Sequence, residues 1–98
     1  MRYRLIIRPE AEADLQEAFD WYEQRVPGMG EDFLVAIDAT INSILANPLQ
    51  HPTMHRDARR ALTRRFPYQV FFIIDDDVII VIAVFHGARD PKRWQDRA

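Results

Sequence analysis

Gln69-Val70-Phe71-Phe72-Ile73-Ile74-Asp75 and Asp77-Val78-Ile79-Ile80-Val81-Ile82-Ala83-Val84-Phe85-His86 decide the fold. Both runs are rich in Val, Ile and Phe, and an Asp-rich turn joins them. They predict a hairpin of strands over 69–75 and 77–86. Their near-continuous hydrophobicity places them centrally in a sheet with a face covered by helices.

Upstream, Ala61-Leu62-Thr63-Arg64-Arg65-Phe66 predicts a further strand with a polar and an apolar side, on which Arg64 and Arg65 alternate. Pro67 marks a turn or a sheet edge. Residues 47–58, with Asn47, Pro48, Pro52 and Asp57, read as irregular. Tyr3, Leu5 and Ile7 alternate in a first short strand over 3–8, which is expected to join the C-terminal strands. Pro9 suits a helix start, and Glu10, Glu12 and Asp14 complement its dipole. Leu15, Ala18, Phe19 and Tyr22 continue at helical spacing to about Arg25. Pro27-Gly28-Met29-Gly30 breaks that helix. Phe33, Leu34, Ile37, Ile41, Ile44 and Leu45 form the stripe of a second helix, ended by Asn47-Pro48. Trp21 and Tyr22 are expected to cover the interhelical seam. The order is β-α-α-β-β-β. It predicts an α+β fold, a helical hairpin packed on a largely antiparallel sheet, as a single domain over 1–98.

Ninety-eight residues allow one modest core. The absence of cysteine excludes disulfides and thiolate metal sites. No apolar run is long enough to span a bilayer, and the first residues lack the apolar region of a signal peptide, so a soluble, cytoplasmic protein is expected. The net charge of −2 hides an asymmetry. Residues 1–53 carry four arginines against nine acids, whereas residues 54–98 carry nine cations against six. The C-terminal half is thus a candidate basic face.

Four groups of residues carry a family resemblance: Pro9 to Leu15 with Trp21-Tyr22; Phe33, Ile37 and Ile44-Leu45-Ala46-Asn47-Pro48; Arg65-Phe66-Pro67-Tyr68 with Val70 and Phe72; and Val81, Val84, His86, Arg89-Asp90-Pro91 and Trp94. Together they resemble the RelE/ParE superfamily of toxins from type II toxin–antitoxin modules. The Arg-Phe-Pro-Tyr segment and the His…Arg-Asp-Pro…Trp tail are similar to the ParE-like branch. The resemblance implies a toxin without a cofactor, partnered by a cognate antitoxin. ParE-like members poison DNA gyrase by binding it. RelE-like members cut mRNA on the ribosome. A relic kept only as an antitoxin-binding protein is the third possibility.

Cleavage through a 2′-hydroxyl needs a base, an acid and cations for the phosphorane. The catalytic candidates are His86, Arg64, Arg65 and Arg89, with His86 the best acid or base. Arginine clamps phosphate but transfers protons poorly at neutral pH. Lys92 is the only lysine. The sheet lysines of RelE-like enzymes are therefore missing, which favours binding over chemistry. Candidates for target or antitoxin contact are Arg60, Arg64, Arg65, Tyr68, Arg89 and Trp94. Trp94 with Arg89-Asp90 has a second reading, an anchor that pins the C-terminus by packing and a local ion pair. His51 and His55 sit four apart but in a Pro-flanked segment without a nearby carboxylate pair, and no metal site is expected. Asp75-Asp76-Asp77 reads as a solvated turn.

Overall fold

The computed structural model describes residues 2–98. Its strands are β1 (Arg4–Ile7), β2 (Thr53–His55), β3 (Ala58–Leu62), β4 (Tyr68–Asp75) and β5 (Val78–His86). Its helices are α1 (Pro9–Arg25), α2 (Met29–Ala46) and the short α3 (Pro91–Gln95), with a 3-10 turn at Pro48–Gln50. The sheet order is β1-β5-β4-β3-β2. All neighbours are antiparallel except β1 and β5, which run parallel. The predicted α+β architecture holds, with the apolar hairpin at its centre and β1 docked on β5.

Three local readings change. The segment taken as irregular contains β2, which pairs with β3 around a turn where Arg56 has φ 53°. The strand expected over 61–66 lies earlier, at Ala58–Leu62. Arg64 and Arg65 therefore sit in the following loop rather than alternating across a strand, and Arg65 takes the left-handed conformation, φ 70°. Finally, the tail forms α3, capped by Asp90, whose side chain accepts from the Lys92 N–H at 3.0 Å.

The helical hairpin is shaped at its turn. Pro9 opens α1, and Gly28 at φ 88° precedes α2. The Glu23 carboxylate accepts from the N–H groups of Gly28 and Gly30 at 3.0 and 2.9 Å, placing an anion at the start of α2. Gly30 lets the helices approach, since a Cβ there would lie 2.8 Å from the Phe19 ring.

The sheet has two apolar faces. Phe33, Ile37, Ile41 and Ile44 of α2 and Ala11 and Ala18 of α1 pack on Val70, Phe72, Ile79, Val81 and Val84. The opposite face gathers Ala58, Phe71, Ile82, Ala83 and Phe85 under Trp94. A β-bulge lets β5 serve both. Phe71 pairs with Ala83 and Phe72 with Val81, so Ile82 is the extra residue. Residues 79 and 81 face the helices before the bulge, and 84 faces them after it.

Beyond Ile7, β1 no longer covers β5. There Asp14 Oδ2 accepts from the Val84 N–H at 3.0 Å, and Arg97 Nη1 donates to the Ile82 carbonyl at 3.0 Å. These two side chains pair at 2.6 Å. Arg8 in turn donates to the Arg97 carbonyl at 3.0 Å. The chain end is thus tied to α1 and β5 at the bulge.

Candidate functional site

The predicted site residues divide among three cavities. The first, about 350 Å³, opens between the C-terminal half of α1 and the ends of β4 and β5. Tyr68, His86 and Arg89 meet there with Glu17 and Trp21. Tyr68 and His86 are partners across the β4–β5 ladder, their rings 5.4 Å apart at 79°. The second, about 380 Å³, is a groove between α2 and the end of β3; Arg64 and Arg65 flank Val35, Ala36, Ala39 and Leu62 there. The third, about 330 Å³, lies on the opposite face of the sheet and holds Arg60, His86, Arg89 and Trp94. His86 and Arg89 therefore form the ridge between the first cavity and the third. Arg64 and Arg65 line neither.

Local bonds hold the ridge in place. His86 Nδ1 accepts from the Ala88 N–H at 2.9 Å. With Nδ1 as the acceptor, the ring N–H of that tautomer is Nε2. Burial pushes the Tyr68 hydroxyl above the ordinary tyrosine value of 10.0. Tyr22, Glu17 and Asp14 reinforce that rise, and Arg89 opposes it. Tyr68 is thus a neutral hydroxyl at physiological pH. Arg89 lies over the Phe85 ring, 4.4 Å from its centroid, which restrains the guanidinium.

Trp94 is 6% exposed and stacks on Phe71, with centroids 3.9 Å apart and planes at 15°. Its large contact area is spent inside the protein, which matches the anchor reading. The expected Arg89–Asp90 ion pair is absent among the described residues. Lys92–Asp96 and Arg97–Asp14 form instead, because Asp90 is turned to cap α3. Tyr22, expected on the interhelical seam, joins Phe33, Phe66 and Tyr68 in an aromatic cluster. Trp21 is half exposed under Arg25 and edges the first cavity. His51 packs against Phe72 and His55 against Trp94, on opposite faces of the sheet.

Sequence reasoning missed Asp14, Glu17 and Gln69. Asp14 had a signal, an acid at helical spacing between Ala11 and Ala18 on the buried stripe of α1.

Residues 5–91 match the family described as ParE toxin of type II toxin–antitoxin system, parDE. The chain belongs to the ParE toxin family. The toxin is 29% identical over 93 residues to Toxin ParE2 of Mycobacterium tuberculosis, strains H37Rv and CDC 1551, covering 94% of this chain and 89% of the relative. Its fold is similar to a chain of the chromosomal ParDE system from P. aeruginosa (TM-score 0.77, 18% identity, 87% of this chain and 96% of that one). It is also similar to a chain of the toxin–antitoxin complex RelBE2 from Mycobacterium tuberculosis (TM-score 0.60, 18% identity, 88% and 99% covered). No helix among the described residues is long and apolar enough to cross a membrane.

Proposed function

We propose that this type II toxin acts by binding, with DNA gyrase as its target and a cognate antitoxin as its neutralising partner. The observation that carries this reading is the state of His86. The Ala88 N–H engages Nδ1, which leaves Nε2 as the ring nitrogen free to meet a ligand. The bond to the loop N–H fixes the ring orientation, as suits a contact residue. Tyr68 is kept neutral, which suits recognition rather than proton abstraction. Lys92, the only lysine, is exposed and pairs with Asp96 at 3.2 Å. Arg64 and Arg65 line the α2–β3 groove, apart from His86 and Arg89.

The α2–β3 groove is the surface assigned to the antitoxin. Val35 and Leu62 are 68% and 66% exposed, an apolar strip bordered by Arg64 and Arg65. A chain segment that folds on binding, with apolar anchors and acidic flanks, matches that surface.

Two assays test the reading. Brief induction of the toxin without antitoxin should arrest growth without producing codon-phased mRNA 5′ ends, and purified toxin should inhibit gyrase supercoiling. Phased cuts that disappear in His86→Ala would establish a ribosome-dependent nuclease instead. Arg64→Ala with Arg65→Ala should weaken antitoxin affinity by about tenfold or more, as expected for charge-assisted contacts.

A further inference from the structure

The first cavity carries charges of both signs that do not meet. Asp14, Glu17, Ala18, Trp21 and Tyr22 recur at spacings of three and four, which sets them on one face of α1. Across the cavity lie Tyr68, His86 and Arg89. Asp14 is committed, because its carboxylate takes the Val84 N–H and pairs with Arg97. Glu17 and Arg89 are not: neither joins an ion pair among the described residues, with the other or with any third group. Both still act on the Tyr68 hydroxyl, Glu17 raising its pKa and Arg89 lowering it, so the two charges border the same space.

Between these charges the lining is aromatic. Trp21 and Tyr22 meet edge to face with centroids 5.0 Å apart, and Tyr22 and Tyr68 lie 6.1 Å apart at 59°. Arg25 stacks on Trp21 and restrains it. Arg89 is restrained in the same way over Phe85, at the ridge that borders this cavity. Ala18 and Val84 are buried and small, so the space in front of them stays open. An aromatic recess flanked by one free carboxylate and one free guanidinium is complementary to a solute with an apolar ring and both charges.

We infer that this cavity binds a free aromatic amino acid, its ring among Trp21, Tyr22 and Tyr68, its α-carboxylate on Arg89 and its α-ammonium on Glu17. His86, with Nδ1 engaged by the Ala88 N–H, offers Nε2 to the same carboxylate. A phosphate or other anion would meet the Glu17 charge. An apolar side chain within a partner protein would leave both charges unanswered. The volume of about 350 Å³ falls in the range of small-ligand pockets. Neither gyrase binding nor antitoxin binding requires such a ligand, so its absence would leave the toxin's target untouched.

The test is titration of the whole toxin with L-phenylalanine, followed by calorimetry and by tryptophan fluorescence, to which the ligand contributes nothing. Trp21 borders the cavity, whereas Trp94 is stacked on Phe71 on the other face of the sheet, so the optical signal should vanish in Trp21→Phe while heat is still released. L-phenylalaninamide, which lacks the carboxylate, and N-acetyl-L-phenylalanine, which lacks the ammonium, should each bind about tenfold more weakly or worse. Arg89→Gln should weaken L-phenylalanine about tenfold and abolish its advantage over the amide. Glu17→Gln should do the same for its advantage over the N-acetyl compound. Glu12→Gln, which removes an exposed acid of the same helix outside the cavity, should change nothing. Thermal unfolding of each variant checks that the fold survives. Equal binding of the doubly blocked N-acetyl-L-phenylalaninamide would overturn the inference and make the cavity a seat for a partner's apolar side chain. No detectable binding, heat without a Trp21 signal, or an equal loss in Glu12→Gln would overturn it as well.

Discussion

The two faces of the sheet are both apolar but are covered by unequal means. Two helices of 17 and 18 residues cover one face. The other is covered by a five-residue helix whose main anchor is the Trp94–Phe71 stack. The first face builds a continuous core. The second leaves the Arg60–Arg89 cavity open beside its anchor. Thick cover serves stability, and thin cover leaves part of the sheet surface open. The division explains how a small chain holds its fold while keeping cationic side chains unpaired.

Substitution on the helix side should be the most damaging. Phe72→Ala removes a fully buried ring between α2 and β4 and should cost about 4 kcal/mol in denaturant unfolding. Trp94→Ala should cost about 3 kcal/mol, because only the short tail loses its anchor. Hydrogen exchange should then accelerate first over residues 91–98 while α1 and α2 stay protected. Equal costs with uniform exchange would make the faces energetically equivalent and break the comparison.

Asp14→Ala tests the seam where the two covers meet. It leaves the Val84 N–H without its acceptor and Arg97 without its partner. A loss of about 2 kcal/mol is expected, discounted because the Arg97 side chain is 21% exposed. Unchanged stability would show that the chain end contributes nothing to the fold.

Arg65→Gly should act in the opposite direction. Glycine relieves the left-handed backbone at φ 70° but adds freedom to the unfolded chain. A net gain of about 0.5 kcal/mol is expected, together with weaker antitoxin binding. Lower stability would mean that the Arg65 side chain supports the loop.

The smallest effect belongs to His51. Burial lowers its pKa from the ordinary 6.5; a bond to the Ser43 backbone partly opposes this, and Arg59 adds to it. The unfolded state therefore binds the proton more readily. Its contribution is present above about pH 6.5 and is lost as the pH falls through the depressed folded value. His51→Gln should flatten this part of the stability–pH profile, and an unchanged profile would remove His51 as its source.

The helix-covered face was legible because its elements are long and regularly patterned. β4 and β5 announce themselves by composition, and α2 by its stripe. The other face was harder to read for local reasons. β2 has only three residues, and its turn uses Arg56 at positive φ where glycine or asparagine would have been the signal. The same absence of glycine at Arg65 made a loop resemble a strand. In β5 every residue from Val78 to Phe85 is apolar, so nothing in the pattern reveals that the bulge reverses which side chains face the helices. At the candidate site, Arg60, His86 and Arg89 were legible as residues, but their convergence depended on side-chain direction. Arg97 and Asp14 lie 83 residues apart, beyond the reach of any local pattern.

The parallel docking of β1 on β5 has a temporal consequence. Arg4 pairs with Val78 and Ile7 with Val81, so β1 has no ladder until β5, the last of the five described strands, exists. During synthesis α1 and α2 emerge with an apolar stripe and no sheet to receive it. Closure waits for β5 and is sealed only when Arg97 reaches Asp14. Such distant pairings favour slow, late folding.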